Sequence, residues 1–159
     1  MLIWIFDLDE TLYHLDKPFE YRHLRTDKYL DFMLSMLPGK KFIFTNATYM
    51  HAITCLNIIG IIKHFNGIES RDTLNGLKPN PSVFQKFINK RNISSTDTCL
   101  FFEDTISNLN TAKTHFKWKT IFVGNNEDEN KENIDFKFKN IHKCLEFFVK
   151  NLGMKICNY

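Results

Sequence analysis

The sequence predicts an α/β fold, a three-layer doubly wound (Rossmann-like) parallel sheet with helices on both faces. Four short apolar runs are continuous rather than alternating, as in strands that are buried on both faces. Helical patterns separate them in the order β, α, β, α, α, β, α, β, which is typical of parallel sheets. The runs lie in "IWIFDLDETLY" (3–13), "KFIFTN" (41–46), "TCLFFED" (98–104) and "KTIFVGNN" (119–126).

The helical segments are recognised by their spacing and their ends. The interval between the first two runs holds about 30 residues, enough for a flap and one helix. The clearest helix is predicted over 47–59, and Gly60 is placed to end it. In "KPNPSVFQKFINK", Asn80 can cap a helix and Pro81 suits its first position. A further helix is predicted in "TISNLNTAKTHF".

The last part of the chain has weaker signals. Residues 125–133 form a polar, charged stretch that we interpret as a solvated loop. "IDFKFKNI" is interpreted as a short edge strand and "HKCLEFFVKNLG" as a final helix. No repeat and no linker divides the chain, so we expect one domain over residues 1–159.

Composition limits the classes of function. The 159 residues are 43% hydrophobic with a formal net charge of +3, so a dominant electrostatic footprint for nucleic acid is not evident. The longest N-terminal apolar run is far too short to span a bilayer, and we expect no membrane association. The four cysteines form no CxxC pair. We therefore expect reduced thiols and a cytoplasmic location.

Polar side chains follow the first three apolar runs, and one lysine precedes a helix start. Because ligands bind beyond the carboxyl ends of parallel strands, these side chains are expected to converge on one site. Each residue alone also has an ordinary interpretation as a turn, a helix cap or a surface charge. Together they are Asp7 and Asp9, Thr45 and Asn46, Glu103 and Asp104, and Lys78.

The donor types in this set suit a magnesium ion and a phosphate group. Two or three carboxylates in a small volume repel one another unless a cation lies among them. Carboxylates, a backbone carbonyl and retained water are the ligands of Mg²⁺ in proteins. A hydroxyl and an ammonium beside that ion would bind the phosphate oxygens.

The same residues carry a resemblance to a known family. "DLDET" at 7–11, Thr45, Lys78 and "FFEDTISN" follow one another in the order of the four motifs of the haloacid dehalogenase-like (HAD) phosphohydrolases. The similarity covers about 120 residues, from 3 to 123. Any single motif is weak, whereas all four in order at strand or helix ends are specific.

The resemblance implies a role for each acid. Asp7 is expected to be the nucleophile that forms an aspartyl-phosphate, and also a metal ligand. Asp9 is expected to protonate the leaving oxygen, to activate water afterwards, and to give its backbone carbonyl to the metal. Asp104 is expected to hold Mg²⁺. Glu103 is either an outer or an alternate ligand.

The resemblance also implies how phosphate is held. Thr45 is expected to hydrogen-bond the phosphoryl oxygens, with help from the Asn46 backbone N–H. Lys78 is expected to balance the charge between Asp7 and phosphate. Asn108 either positions Lys78 or caps a helix locally. The histidines at positions 14, 23, 51 and 64 are assigned no catalytic role.

The substrate is left open between several classes. "FTNATYMHAITCLNIIGIIKHFNGI" with "LKPNPSVFQKF" is similar to yeast-type pyrimidine 5′-nucleotidases, which favours a nucleotide. Those relatives have a helical cap between the first two motifs, and this chain is expected to lack it. The alternatives are a phosphatase for a phosphoprotein or a polynucleotide end, and a catalytically idle interaction module. Aromatic and basic residues at 13–25 could attract a base and phosphate.

Overall fold

A six-stranded parallel sheet forms the centre of the computed structural model, which describes residues 1–15, 21–125 and 132–152. Every pair of neighbouring strands is parallel, in the order β3-β2-β1-β4-β5-β6. Most of the predicted loop at 125–133 lies outside the described residues. The same is true of part of the predicted flap between the first two apolar runs, including Lys17 and Phe19. The strands are β1 Leu2–Phe6, β2 Lys40–Phe44, β3 Gly67–Glu69, β4 Thr98–Glu103, β5 Lys119–Val123 and β6 Phe136–Phe138.

Five α-helices connect the described strands or follow them, with short 3-10 turns at Tyr21–His23 and Ile62–His64. None of the helices in the described ranges is both long enough and apolar enough to cross a membrane. The helices are α1 Lys28–Met36, α2 Tyr49–Ile59, α3 Pro81–Arg91, α4 Ile106–Phe116 and α5 Ile141–Asn151.

The two faces of the sheet bury separate hydrophobic cores. Trp4 and Phe6 of β1 face α1, α2 and α5, whereas Ile3 and Ile5 face α3 and α4. Because successive side chains of a strand point to opposite faces, a strand covered on both sides must be apolar throughout. The predicted three-layer fold is confirmed. Burial of both sheet faces explains why the apolar runs in the sequence are continuous.

Two predicted helix ends are confirmed by their capping contacts, and a third is shifted. Gly60 ends α2 in the left-handed conformation, with φ of 86°. The Asn80 side chain accepts a hydrogen bond from the Ser82 N–H, and Pro81 is the first residue of α3. Helix α2 begins at residue 49 rather than 47, because the Thr48 side chain caps it by accepting from the His51 N–H.

Strand β3 was not predicted from the sequence. It has only three residues and ends in Glu69, a fully buried carboxylate that pairs with Lys90 and Arg91 of α3. A three-residue strand ending in a charge has no apolar run to mark it. Its pairing nevertheless matters, because the Thr45 N–H donates to the Glu69 carbonyl at 2.9 Å and so fixes the end of β2.

The strand order places the end of β1 at a topological switch point. From β1 the chain runs outward to β2 and β3 on one side, and it returns to β4, β5 and β6 on the other. Crevices at such points are where ligands bind in open α/β sheets. Asp7, whose N–H donates to the Phe102 carbonyl at 2.9 Å, therefore lies at the middle of the carboxyl edge.

Candidate active site

Lys78 is the centre of the polar cluster at this edge. Its Nζ donates to Asp7 Oδ1 and Glu103 Oε1, each at 2.8 Å, and to the Phe44 carbonyl at 2.6 Å. The side chain is fully buried, with the rings of Phe44 and Phe101 at 5.0 and 5.3 Å from Nζ. A buried ammonium is tolerated because all three of its protons have acceptors.

Three carboxyl groups lie together beside this lysine. Asp7, Glu103 and Asp104 each offer a carboxylate oxygen within 4.8 Å of the others. The Thr11 hydroxyl lies 3.2 Å from Asp104 Oδ1 and 3.5 Å from Asp7 Oδ2. One lysine cannot balance three negative charges in a buried site, so protons or a cation must supply the rest.

The pKa values of two of these carboxyl groups are raised, because the site is buried and contains too little positive charge to balance them. Burial, and then repulsion by Glu103, raises the pKa of Asp7 to about 7. The same two causes raise the pKa of Asp104 to about 8. Burial also opposes ionisation of Glu103, but the charge of Lys78 and the hydrogen bonds that the carboxylate accepts together outweigh it and lower the pKa of that carboxyl. The negative charges of Asp7 and Asp104 are therefore the ones that Lys78 does not fully balance.

The donor set fits a hard divalent cation. Asp7 and Asp104 offer carboxylate oxygens with raised proton affinity, whereas both Glu103 oxygens already accept hydrogen bonds, one from Lys78 and one from the Asp104 and Thr105 N–H groups. Asn108 donates to Glu103, and its buried Oδ1 has no partner among the described residues. A buried acceptor left unpaired is costly, so we expect a water molecule of the site to donate to it.

We expect Mg²⁺ to stabilise the protein more at pH 8 than at pH 5.5. The folded-state pKa values of Asp7 and Asp104 exceed the ordinary value of 3.8, so between about pH 4 and 8 the folded chain binds protons that the unfolded chain has lost. Without a cation, these two groups make the free energy of unfolding fall as pH rises through this window. Melting temperatures with EDTA and with Mg²⁺ at both pH values test this.

The Asp104→Asn variant is the control for that measurement. It removes one of the two titrating carboxyls, so the fall in stability with pH should become shallower and the stabilisation by Mg²⁺ should be largely lost. An equal rise in melting temperature with Mg²⁺ at both pH values would contradict the expectation, because a metal that competes with protons binds more weakly at low pH.

Asp9 lies in the turn that follows β1. Its Oδ1 accepts a hydrogen bond from the Tyr13 hydroxyl and lies 2.9 Å from His51 Nε2. Glu10, with φ of 59°, adopts the left-handed conformation that turns the chain, and its carboxylate accepts the Leu15 N–H at 3.1 Å. Asp9 and Glu10 both line the cleft, and the contact with Leu15 ties the Glu10 carboxylate to the turn.

Thr45 and Asn46 shape the end of β2. The Thr45 side chain is buried, and its Oγ1 accepts the Ala47 N–H at 3.0 Å, which leaves the hydroxyl proton available to the cleft. The Asn46 side chain accepts the Lys78 N–H at 2.8 Å and donates to the Lys78 carbonyl at 3.0 Å. Besides the backbone role expected of it, Asn46 therefore fixes the segment that carries Lys78.

A cleft of about 600 Å³ opens over these groups. Seven of the eight predicted site residues line it directly, while the buried Lys78 lies beneath them in contact with Asp7 and Glu103. Tyr21, from the aromatic and basic stretch at 13–25, also lines the cleft, as do His51 and Arg71, which the sequence did not assign to the site. Arg71 follows the unpredicted β3, and His51 lies in the first turn of α2, so the available signal was their proximity in sequence to strand ends. The predicted residues that line the cleft are Asp7, Asp9, Thr45, Asn46, Glu103, Asp104 and Asn108, of which Glu103 contributes mainly through its contact with Lys78.

The fold and the position of this cleft define a doubly wound α/β protein with a polar site at the switch point. A family model of haloacid dehalogenase-like hydrolases matches residues 27–123, which is more than half of the chain. The protein therefore belongs to the haloacid dehalogenase-like hydrolase family. The matched range includes Thr45, Lys78 and Asp104, and it begins after Asp7 and Asp9.

Solved structures share the fold at low sequence identity. An HAD phosphatase from Thermococcus onnurineus has a TM-score of 0.59 at 19% identity, over 73% of this chain and 54% of its own. L-2-haloacid dehalogenase from Xanthobacter autotrophicus, with chloropropionic acid covalently bound, has a TM-score of 0.67 at 16% identity, over 83% and 64%. Magnesium-bound YfnB from Bacillus subtilis has a TM-score of 0.65 at 13% identity, over 76% and 55%.

These likenesses concern the fold alone. The chain spans between about half and two thirds of the length of the three structures. Their titles include both a phosphatase and a dehalogenase, so the family membership leaves the reaction to be argued from the residues in the cleft.

Proposed function

We propose that this protein is a Mg²⁺-dependent phosphatase that hydrolyses phosphate monoesters through an aspartyl-phosphate on Asp7. The observation that carries the proposal is the contact of Lys78 with both Asp7 and Glu103, beside Asp104 and at the floor of an open cleft. This arrangement gathers a nucleophile, a fixed positive charge and a cation site within a few ångströms.

In the first step a carboxylate oxygen of Asp7 attacks phosphorus, and the bond from phosphorus to the ester oxygen breaks. Asp9 gives its proton to the departing oxygen, so that an alcohol leaves rather than an alkoxide. Lys78 holds the attacking carboxylate and keeps positive charge beside the transferring group. The Thr45 hydroxyl donates to a phosphoryl oxygen, in the manner of an oxyanion-hole donor.

In the second step water attacks the phosphorus of the aspartyl-phosphate. Asp9, now a carboxylate, takes the proton of the water as the new bond forms, and the bond between phosphorus and the Asp7 oxygen breaks. Inorganic phosphate leaves and Asp9 is again protonated. The two roles of Asp9 are the forward and reverse directions of one proton transfer.

Asp7, Asp104 and the backbone carbonyl of Asp9 would hold Mg²⁺. When bound, the ion would neutralise phosphate charge and favour the ionised form of Asp7. Glu103 and Asn108 support this site indirectly, because Glu103 binds Lys78 and Asn108 donates to Glu103. Asn46 contributes by holding the backbone of Lys78.

A phosphate ester is favoured over a haloacid by the residues around Asp7. A halide leaves without needing a proton, whereas an alkoxide needs an acid such as Asp9. The two carboxyl groups beside the nucleophile, Glu103 and Asp104, also suit a cation that accompanies a dianionic phosphate, and they would repel a carboxylate substrate without one.

The proposed substrate is either a phosphorylated small molecule, with a nucleotide favoured, or a phosphorylated macromolecule. We infer that the chain lacks a cap domain, since the described residues between β1 and β2 contain one α-helix, α1, which packs on α5. Of the flap residues, Tyr21 lines the cleft, whereas Arg25 donates to nearby backbone carbonyls. The three cysteines among the described residues are free and buried, which supports a cytoplasmic location.

We expect the protein with Mg²⁺ to hydrolyse p-nitrophenyl phosphate and to leave 2-chloropropionate unchanged. A panel of UMP, CMP, a phosphopeptide and 3′- or 5′-phosphorylated oligonucleotides then identifies the substrate class. Release of chloride would contradict the proposal and favour a dehalogenase. Absence of phosphate release from every ester with Mg²⁺, Mn²⁺ or Co²⁺ would favour a catalytically idle module, while inactivity confined to nucleotides would exclude only that preference.

A further inference from the structure

His51 holds a defined place against the carboxylate of Asp9. Its Nε2 lies 2.9 Å from Asp9 Oδ1, so the neutral ring must carry its proton on Nε2 in order to donate to that oxygen. The Tyr13 hydroxyl donates to the same Oδ1 and lies 3.4 Å from His51 Nε2. Both of these contacts are made by Oδ1, so they leave Oδ2 unoccupied on a carboxylate that lines the cleft.

The two donors are themselves fixed by their surroundings. His51 lies in the first turn of α2, where the Thr48 side chain accepts its backbone N–H at 3.3 Å. The ring of Tyr21 packs edge-on against the imidazole, with centroids 4.7 Å apart. The Cys55 sulfur, which is buried, lies 3.6 Å from His51 Nε2 and 3.5 Å from the Tyr13 hydroxyl.

The Asp9 carboxylate does not need the hydrogen bonds from His51 and Tyr13 merely to be satisfied in the folded protein. Asp9 is only partly buried, with a side-chain exposure of 33%, so its carboxylate could be satisfied by water alone. The donors of Tyr13, in the turn after β1, and of His51, on α2, instead hold its Oδ1 from two sides. A group that must deliver a proton to a leaving oxygen, and then retrieve one from water, depends on such restriction because small misplacements cost large factors in rate.

We propose that His51 is a positioning residue for Asp9: together with Tyr13 it binds Oδ1, and so directs Oδ2 toward the leaving group of the substrate. The inference rests on the proposed phosphatase function. It assigns no proton transfer to His51 itself, whose Nε2–H stays in the contact with Asp9.

The test is the dependence of kcat/KM on the leaving group. This parameter covers the steps up to cleavage of the ester, in which an alkyl phosphate needs proton donation much more than p-nitrophenyl phosphate does. In His51→Ala we expect kcat/KM to fall about 100-fold for an alkyl phosphate and by no more than about 5-fold for p-nitrophenyl phosphate, within the range that acid catalysis supplies. His51→Gln, whose amide can donate in place of Nε2–H, should recover most of the loss.

Two further variants separate positioning from folding. His51→Asn carries the same amide as His51→Gln on a shorter side chain and should behave like His51→Ala. The comparison of the asparagine and glutamine variants therefore tests positioning even if the alanine variant folds poorly. His142→Ala removes a histidine that pairs with Asp27 at 2.7 Å outside the cleft, and it should keep the leaving-group dependence of the unaltered protein.

Equal losses on both esters, or a glutamine variant no better than alanine, would overturn the positioning role while leaving the phosphatase function intact. Failure of the unaltered protein to hydrolyse either ester would instead refute the proposed function itself.

Discussion

Asp7→Asn is expected to reduce hydrolysis of p-nitrophenyl phosphate by at least about 10⁴-fold, to below detection in most assays, since removing a nucleophile abolishes the covalent route. An amide oxygen carries no charge and is a poor nucleophile toward phosphorus. The variant also loses an anionic ligand from the cation site. The measurement is kcat/KM with saturating Mg²⁺, together with a search for a phosphorylated intermediate by mass spectrometry in the unaltered protein.

The stability of the same variant distinguishes lost chemistry from lost folding. The pKa of Asp7 is raised to about 7 by burial and by Glu103, so at pH 8 its charge is unfavourable in the folded protein without a cation. Asp7→Asn removes that charge, and with EDTA its melting temperature at pH 8 should equal or exceed that of the unaltered protein. A variant that melts much lower would mean that Asp7 mainly serves folding.

Asp97→Asn is a matched control for the chemistry. Asp97 precedes β4 at the opposite edge of the sheet, where it pairs with the N-terminal ammonium at 2.8 Å. The substitution makes the same change of carboxylate to amide without touching the cleft. Full activity in this variant and none in Asp7→Asn would attribute the loss to the position of the carboxylate.

Strand ends were the most informative feature of the sequence. The apolar runs of β1, β2 and β4 are buried on both faces, and polarity changes abruptly where each one ends, so Asp7, Thr45 and Asp104 could be assigned to one edge. Strand β3 offered no such contrast. Its three residues end in a buried glutamate that only the salt bridges from α3 make tolerable.

The contacts that the site residues make with one another were harder to predict from the sequence than the identities of those residues. Lys78 and Glu103 are 25 positions apart, and their contact depends on how α3 and β4 pack. His51 was interpreted as an ordinary helical histidine, because nothing in its sequence neighbourhood indicates that α2 directs it at Asp9. Periodicity predicts which face of a helix is buried, but not which polar group that helix meets.

Lys78→Met is expected to lower the free energy of unfolding by about 3 to 5 kcal/mol at pH 8 with EDTA, as when one partner of a buried ion pair is removed. For a chain of this size, that corresponds to a fall in melting temperature of roughly 10 °C. The lysine is fully buried and is the shared partner of Asp7 and Glu103, so its removal leaves two buried carboxyl groups without a positive charge. Phosphatase activity should be lost as well.

Lys41→Met shows how much of that cost belongs to the carboxyl groups. Lys41 is also buried, but its Nζ donates to the Leu37 carbonyl at 2.6 Å, and it has no salt-bridge partner within the described ranges. Burial lowers the pKa of Lys41, so its positive charge destabilises the folded state. Its replacement by methionine should therefore cost much less than the replacement of Lys78.

The double variant Lys78→Met with Glu103→Gln completes the test. If the instability of Lys78→Met comes from an uncompensated carboxylate, neutralising Glu103 should recover a large part of the lost stability, and the two substitutions should be strongly non-additive. It should not recover activity, because Asp7 would still lack the ammonium that fixes and balances it during phosphoryl transfer. Additive effects would mean that Lys78 contributes by packing against Phe44 and Phe101, and that the charge arrangement inferred for the site is wrong.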